Sequence, residues 1–335
     1  MSLHPASRGE AVGVLRPGRM DARRVGHAFA PFVVQADARR LRFFAKATGQ
    51  NDPVYCDADV AMAAGHPALP LPPTFLVCLE MEGPEPNALL TLLGLDPRQR
   101  LLHAELGLVY HRMAYCGDRL VFSQRLEQVY DKKGGALQFA VRLTRVTNQR
   151  DELVAELRCV LVAVHEAVPA PAASALTGAP VIPALTGAPV ISALTGVPVS
   201  TVPGAGADAL PALETAPITR FDLALYAGAS GDHNPVHVDL DFARAAGFDD
   251  VFAHGMLVMA YAARGLTDWV PQRRLRALHL RFQGMTQIGD RLRCEGRLTG
   301  CTEQAGEALQ HIGLTVADGR GAVKASGQAT ITASH

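Results

Sequence analysis

The stretch YAGASGDHNPVH, residues 226–237, decides how the C-terminal part of the chain folds and what it can do. Gly231 predicts the end of a helix, because glycine readily adopts the left-handed conformation found there. The Asn-Pro pair that follows favours an extended exit, so Asp232 and His237 share one turn. A carboxylate and an imidazole so close together can move protons at neutral pH. The simpler alternative is a turn held only by Asx-type hydrogen bonds.

The apolar run from Val251 to Ala263 adds a second motif, Ala-His-Gly-Met at residues 253–256. Gly-Asp-x-Asn-Pro-x-His followed by Ala-His-Gly-Met resembles the MaoC-like family of (R)-specific enoyl thioester hydratases and (3R)-hydroxyacyl thioester dehydratases. The resemblance covers roughly residues 217–332 and is nearest to the catalytic subunit of heterodimeric dehydratases. It implies a hydro-lyase that interconverts (3R)-hydroxyacyl and trans-2-enoyl thioesters in fatty-acid or related acyl metabolism.

The same resemblance assigns roles to individual residues. Asp232 and His237 become the acid/base pair, Asn234 orients the carboxylate or a water, and the Gly255 N–H binds the thioester oxygen. Which of the pair acts at C2 stays open. Gly255 has an alternative interpretation as a packing glycine between helix and sheet. His254 could help shape the site beside Gly255, but a histidine at a helix start is more often an N-terminal hydrogen-bonding residue, and it is left outside the catalytic set.

The N-terminal half repeats these patterns in a degenerate form. GQNDPVY at residues 49–55 matches GDHNPVH at residues 231–237, and CGDRL precedes strand-like sequence in the first half just as IGDRL does in the second. Gln50 and Tyr55 stand where the second half has its acid and its imidazole, and neither accepts a proton near pH 7. We therefore expect a duplicated fold with an inactive first half that lines an acyl-chain cavity or completes the sheet.

Hydrophobic periodicity predicts a helix-rich stretch followed by four strands in each half. The predicted helices are 39–48, 74–81, 220–229 and 255–266, and the predicted strands are 105–112, 119–131, 136–148, 153–164, 276–283, 291–299, 307–317 and 323–331. The family resemblance implies the α+β double hotdog fold. In that fold each half wraps a bent antiparallel sheet around one long helix, and the two sheets pair edge to edge.

Four segments divide the chain. Residues 1–24 are predicted to be a disordered leader, residues 25–168 the degenerate hotdog, residues 169–212 a linker and residues 213–335 the catalytic hotdog. The linker carries the units SALTGAPVI, PALTGAPVI and SALTGVPVS in succession. Frequent proline and glycine disfavour regular structure, which predicts a mobile or surface-draped tether. A β-solenoid is the alternative, but three short coils lack caps and the expected length.

Composition agrees with a soluble enzyme. The 335 residues are 48% hydrophobic, enough for two well-filled domains, and the net charge is zero, so nothing global attracts nucleic acid or an anionic membrane. The six cysteines have no C-x-x-C spacing, which indicates a reducing cytoplasm without a zinc ribbon or disulfide framework. No long apolar span is apparent. We expect no metal and no cofactor, since neither a nucleotide loop nor a metal constellation is visible.

The resemblance implies partners that carry pantetheine, either coenzyme A (CoA) or acyl carrier protein, and allows a homodimer of double hotdogs. The cluster Arg273-Arg274-Leu275-Arg276 could meet a CoA phosphate or an acidic carrier, or be an ordinary solvated face. Two other functions stay open. One is thioester hydrolysis on the same fold, which needs a different carboxylate placement, and the other is non-catalytic acyl-thioester binding, which suits the first half only.

Overall fold

The computed structural model describes residues 18–84, 88–95, 101–164 and 209–333. After a 3-10 turn at Ala22–Arg24, the first half consists of β1 (Phe32–Gln35), α1 (Ala38–Thr48), α2 (Ala58–Ala63), α3 (Phe75–Glu80), α4 (Ala88–Leu93), β2 (Leu101–Tyr110), β3 (Arg119–Lys132), β4 (Leu137–Thr147) and β5 (Leu153–Val164). The second half consists of β6 (Leu213–Glu214), α5 (Arg220–Ser230), α6 (Leu240–Ala245), α7 (Gly255–Thr267), β7 (Leu275–Phe282), β8 (Leu292–Gln304), β9 (Glu307–Asp318) and β10 (Val323–Thr332).

All ten strands form one antiparallel sheet in the order β1-β3-β4-β5-β2-β7-β10-β9-β8-β6. The halves join where β2 pairs with β7, with Gly107 opposite His279. Edge-to-edge pairing removes an exposed strand edge from each half. The prediction of an α+β double hotdog is therefore confirmed.

The prediction of one long helix in each half holds only for the second half. There α7 runs for 13 residues, and nine of its side chains are buried. Its counterpart α3 has only six residues. Gly83 and Pro84 follow soon after it, and proline cannot continue a helix because it lacks the N–H. All eight predicted strands are present within a few residues, whereas the short elements β1, β6, α2, α4 and α6 were missed.

Two predicted segment boundaries are wrong. Met20 and Asp21 are buried, and the Asp21 N–H donates to the Leu93 carbonyl at 3.1 Å, so residues 18–24 belong to the first hotdog and not to a leader. The Leu210 N–H likewise donates to the Gly296 carbonyl at 2.8 Å, so the last residues assigned to the linker belong to the second hotdog. Residues 1–17 and the three nonapeptide units lie outside the described residues.

Reciprocal arginines fix the two halves to each other around the motif turns. Arg264 Nη1 donates to the carbonyls of Thr48 and Gly49 at 2.7 Å each, at the C-terminus of α1. Arg40 donates to the Ser230 carbonyl at 3.4 Å, at the C-terminus of α5. Cations stabilise helix C-termini, because the last carbonyls have no partner within the helix. Each half thus caps the helix that leads into the other half's motif turn.

None of the described helices is long and apolar enough to span a lipid bilayer.

Candidate active site

The turn after α5 forms as the sequence predicts. The helix ends at Gly231, whose φ of 77° is left-handed. The Asp232 N–H then donates to Ser230 Oγ at 3.1 Å, and the Asn234 N–H donates to Asp232 Oδ1 at 3.3 Å. The exposed Asn234 side chain accepts from the Val236 N–H at 3.3 Å and caps the 3-10 turn Pro235–His237. Asn234 therefore contacts the carboxylate through its backbone, while its side chain makes the turn.

One hydrogen bond fixes the proton position on His237. This side chain is 7% exposed, and Nδ1 donates to the Phe252 carbonyl at 2.8 Å. A carbonyl can only accept, so in the neutral ring the proton sits on Nδ1 and Nε2 carries the lone pair. Burial lowers the pKa of His237 below its usual value despite the attraction of Asp232. His237 is therefore neutral at pH 7, and Nε2 is its ring atom that can accept a proton.

His254 contacts Asp232 and His237, which agrees with the interpretation that it helps shape the site and not with a bond to the helix start. Its side chain makes no cap bond to α7. Instead Nε2 donates to the Asp232 carbonyl at 3.2 Å, and the ring stacks on His237 with centroids 3.9 Å apart. Burial, reinforced by His237, lowers the pKa of His254 to about 3. His254, a neutral ring, thus contacts both Asp232 and His237. In the sequence, the available sign of this role was its position next to Gly255.

Opposing influences set the pKa of Asp232. Burial acts to raise the pKa of this carboxyl, but His254, His237, His103 and the hydrogen bond from the Asn234 N–H act to lower it, and the net pKa is below the usual value. The carboxylate is ionised at pH 7. His103 lies on β2 of the first half, so the half without a dyad contributes to the electrostatics of the other. Nothing in the local sequence around His103 indicated this role.

Gly255 is the first residue of α7, beside the cluster. Within the described residues its N–H has no hydrogen-bond acceptor. The start of a helix favours negative charge, because its first N–H groups point outward together. A Cβ added at Gly255 would lie 3.4 Å from the Phe282 ring, an ordinary contact. The geometry is therefore compatible with both predicted roles, oxyanion donor and packing glycine.

Asp232, His237 and His254 also form a candidate metal-ligand set, with their donor atoms within 4.8 Å of one another. One nitrogen of each ring already donates a hydrogen bond, His237 Nδ1 to the Phe252 carbonyl and His254 Nε2 to the Asp232 carbonyl. Each neutral ring therefore keeps a single nitrogen with a lone pair, and the absence of a metal stays a prediction.

The residue that replaces the imidazole in the first half is buried and hydrogen-bonded. Tyr55 is 2% exposed, and its hydroxyl donates to Gln272 Oε1 at 2.9 Å, while Gln272 Nε2 donates to the Leu71 carbonyl at 2.7 Å. Pro73 stands as far after Gly49 as Gly255 stands after Gly231. Proline has no N–H. The first half thus lacks the acid, the imidazole and the backbone donor together.

Comparison with known proteins agrees with this division. Residues 23–157 match the family described as "FAS1-like, dehydratase domain region", and residues 206–318 match "MaoC like domain". The chain thus combines a FAS1-like dehydratase region with a MaoC-like domain. A solved MaoC-like dehydratase has a TM-score of 0.71 at 21% identity, covering 92% of this chain and 98% of that one, which shows a shared fold.

Two curated proteins are also similar to this MaoC-like chain. A UPF0336 protein of Parafrankia sp. is 33% identical over 151 residues, covering 43% of this chain and 95% of that protein. The mitochondrial 3-hydroxyacyl-[acyl-carrier-protein] dehydratase of Arabidopsis thaliana is 35% identical over 79 residues, covering 24% of this chain and 48% of that enzyme. This chain is thus related to 3-hydroxyacyl dehydratases, and the family indicates an enzyme of the hydro-lyase kind.

Proposed function

We propose that this protein reversibly dehydrates (3R)-hydroxyacyl thioesters to trans-2-enoyl thioesters, with Asp232 and His237 as the acid/base pair. The observation that supports this most strongly is the bond from His237 Nδ1 to the Phe252 carbonyl. It leaves Nε2 as a base beside an ionised carboxylate, at the start of α7. The (R) configuration rests on the family resemblance alone.

The protonation state of the dyad restricts the mechanism. Dehydration breaks the C2–H and C3–O bonds, forms the C2–C3 double bond and releases water. With Asp232 ionised and His237 neutral, the dyad stores no proton on its working atoms. The proton removed from C2 is therefore the proton returned to the departing oxygen, relayed within the pair. Hydration runs the same steps in reverse, with the dyad activating a water.

The thioester oxygen gains negative charge when the C2 proton leaves. A free backbone N–H at a helix start stabilises such a charge, because it is fixed in place before the reaction. In this proposal the Gly255 N–H binds that oxygen. His254 holds the Asp232 backbone and the His237 ring in position relative to each other, through one hydrogen bond and one ring contact.

The remaining parts of the proposal concern the setting of the reaction. The acyl group is carried on CoA or on an acyl carrier protein, since one relative is named for the carrier-bound substrate. We expect the reaction to need neither metal nor cofactor, to run in the cytoplasm, and to be compatible with a homodimer of double hotdogs.

Two assays on one substrate test the proposal. Hydration of crotonyl-CoA by the full chain should lower the absorbance of the enoyl thioester without releasing free thiol. Thiol release at a comparable rate would identify a thioesterase. Binding of crotonyl-CoA without loss of absorbance would identify a non-catalytic module and overturn the proposal.

A further inference from the structure

A cavity of 470 Å³ lies between the halves at the start of α3. The first half contributes the segments Leu71–Pro73 and Tyr110–Ala114, and the second half contributes Arg273, Leu275 and Arg276 among others. None of the proposed catalytic residues lines it. Its volume falls within the range of small-molecule sites, about 300–1,000 Å³. The reaction proposed above gives this cavity no role.

The internal duplication identifies what the cavity corresponds to. The Tyr110 hydroxyl donates to the Pro73 carbonyl at 2.9 Å, while the Phe282 ring lies against Gly255. Tyr110 precedes the CGDRL segment by the same distance as Phe282 precedes IGDRL. Pro73 and Tyr110 are therefore the counterparts of Gly255 and Phe282. The cavity is the first half's version of the space in front of Gly255, where the thioester is proposed to bind.

The strand beside the cavity has the same backbone contacts in both halves. The N–H groups of His111 and Arg112 donate to the Val154 carbonyl at 2.8 and 3.2 Å. In the second half, residues 283 and 284 donate to the Lys324 carbonyl at the same distances. The Lys324 amine donates to the Met285 carbonyl at 3.0 Å and pairs with Asp290 and Asp318. Its counterpart Val154 has no amine and lines the cavity.

The cavity has apolar and cationic walls. Leu71, Leu76 and Leu275 supply apolar surface. Arg276 is bound by Glu307 through two hydrogen bonds, of 2.9 and 2.6 Å. The side chain of exposed Arg273 has no ion pair or hydrogen bond with the described residues. Arg112 adds a third guanidinium, paired with Glu152 at a loose 3.5 Å. The lining therefore carries three arginines and only one carboxylate, Glu307.

We propose that this cavity is a second, non-catalytic binding site for a phosphorylated pantetheine arm. The inference rests on the proposed function for the class of ligand. The cavity is the counterpart of the proposed thioester space, and the exposed Arg273 in its lining, without a carboxylate partner among the described residues, suits a phosphate. Pro73 offers no N–H for an oxyanion, so a bound thioester is held without reaction.

Counting bound CoA on the full-length protein tests this proposal. Isothermal titration with CoA should give two binding classes per chain. Arg273→Glu should weaken one class at least about tenfold, since it replaces an attractive phosphate contact by a repulsive one. Met113→Trp, which fills the cavity, should remove the same class. Arg39→Glu makes the same charge change at an exposed residue outside the cavity and should retain both classes.

Two further ligands distinguish CoA from a carrier protein as the source of the pantetheine arm. 4′-Phosphopantetheine, the part that a carrier protein presents, should compete for the arginine-dependent class, and unphosphorylated pantetheine should compete at least about tenfold less well. One CoA class that is unaffected by Arg273→Glu and Met113→Trp would overturn the proposal. So would a parallel rise of the KM for crotonyl-CoA in both variants, because the cavity would then belong to the substrate's own site. The CoA count remains decisive even if crotonyl-CoA is not hydrated.

Discussion

The two hotdog halves share a fold and differ at the three positions where chemistry is proposed. The second half has a carboxylate, an imidazole and a backbone N–H, and the first half has an amide, a phenol and a proline: Asp232, His237 and Gly255 against Gln50, Tyr55 and Pro73. The replacements are themselves well satisfied, since the Tyr55 hydroxyl donates to Gln272 Oε1 at 2.9 Å. The comparison teaches that a hotdog site can lose its chemistry through local substitutions without losing its packing.

The first half nevertheless supports the site in the second. Arg40 donates to the carbonyl of Ser230, two residues before Asp232, and His103 acts on the carboxylate electrostatically. The strand that carries His103 is also the one that pairs with β7. A single hotdog would lack both contributions. Division of labour between halves therefore explains why a duplicated chain keeps a half that has no dyad.

The largest expected effect comes from removing the dyad. Asp232→Asn and His237→Ala should each lower kcat for crotonyl-CoA hydration by about two to four orders of magnitude, because general acid/base transfer is lost. Thermal melting and circular dichroism of the same preparations should show that both variants remain folded. A near-wild-type kcat in either variant would remove the chemical distinction between the halves.

The next effect comes from transferring the proline of the first half to the second. Gly255→Pro removes one N–H and should lower kcat by about 10²–10³, the usual cost of losing an oxyanion donor. Proline is tolerated at the first helical position, and His254 has an extended ψ of 134°, which suits a residue before proline.

Gly255→Ala is the matched control, because it adds a Cβ against Phe282 but keeps the N–H. It should retain most of the activity, as measured by steady-state hydration of crotonyl-CoA. Equal losses in the alanine and proline variants would assign Gly255 to packing and not to charge stabilisation.

Acid pH should lower the activity of the second half by protonating His237. His237 must be neutral to act, and burial lowers its pKa below the ordinary 6.5. A lowered pKa keeps the base neutral to a lower pH than free histidine. A profile of kcat/KM for crotonyl-CoA should therefore be level near pH 7 and fall about tenfold per pH unit only below that lowered pKa. If kcat/KM already fell on acidification while the pH was still above 7, the neutral-base assignment would be contradicted.

Local sequence was sufficient for the parts of the site that local backbone rules determine. The glycine at position 231, the turn after it and the spacing of Asp232 and His237 follow from helix termination and proline geometry. The strands follow from alternation of apolar and polar residues. The short α3 follows as well, since its predicted range 74–81 is close to the observed Phe75–Glu80 and the Gly83-Pro84 pair comes soon after it.

The remaining parts depend on long-range pairing. The stacking of His254 on His237 requires the start of α7 to meet a turn that lies well before it in the chain. The influence of His103 requires β2 to pair with β7. The cavity requires segments of both halves to meet. No local periodicity encodes such contacts, because they arise between elements that are distant in sequence.

The smallest expected effect concerns the two residues that replace the dyad in the first half. Tyr55→Phe removes the hydroxyl that donates to Gln272 at 2.9 Å and should lower the free energy of unfolding by about 0.5–1.5 kcal/mol, the net value of one such hydrogen bond. Burial raises the pKa of Tyr55, so its phenol stays neutral and performs no proton transfer at pH 7. Gln50→Ala removes an amide that likewise accepts no proton. Urea unfolding should detect the stability change in Tyr55→Phe, while kcat for crotonyl-CoA hydration should stay within about twofold of wild type in both variants, a change worth less than 0.5 kcal/mol. A tenfold or larger fall of kcat in Tyr55→Phe, with the fold intact, would mean that the first half takes part in the chemistry and that the two halves differ less than their residues indicate.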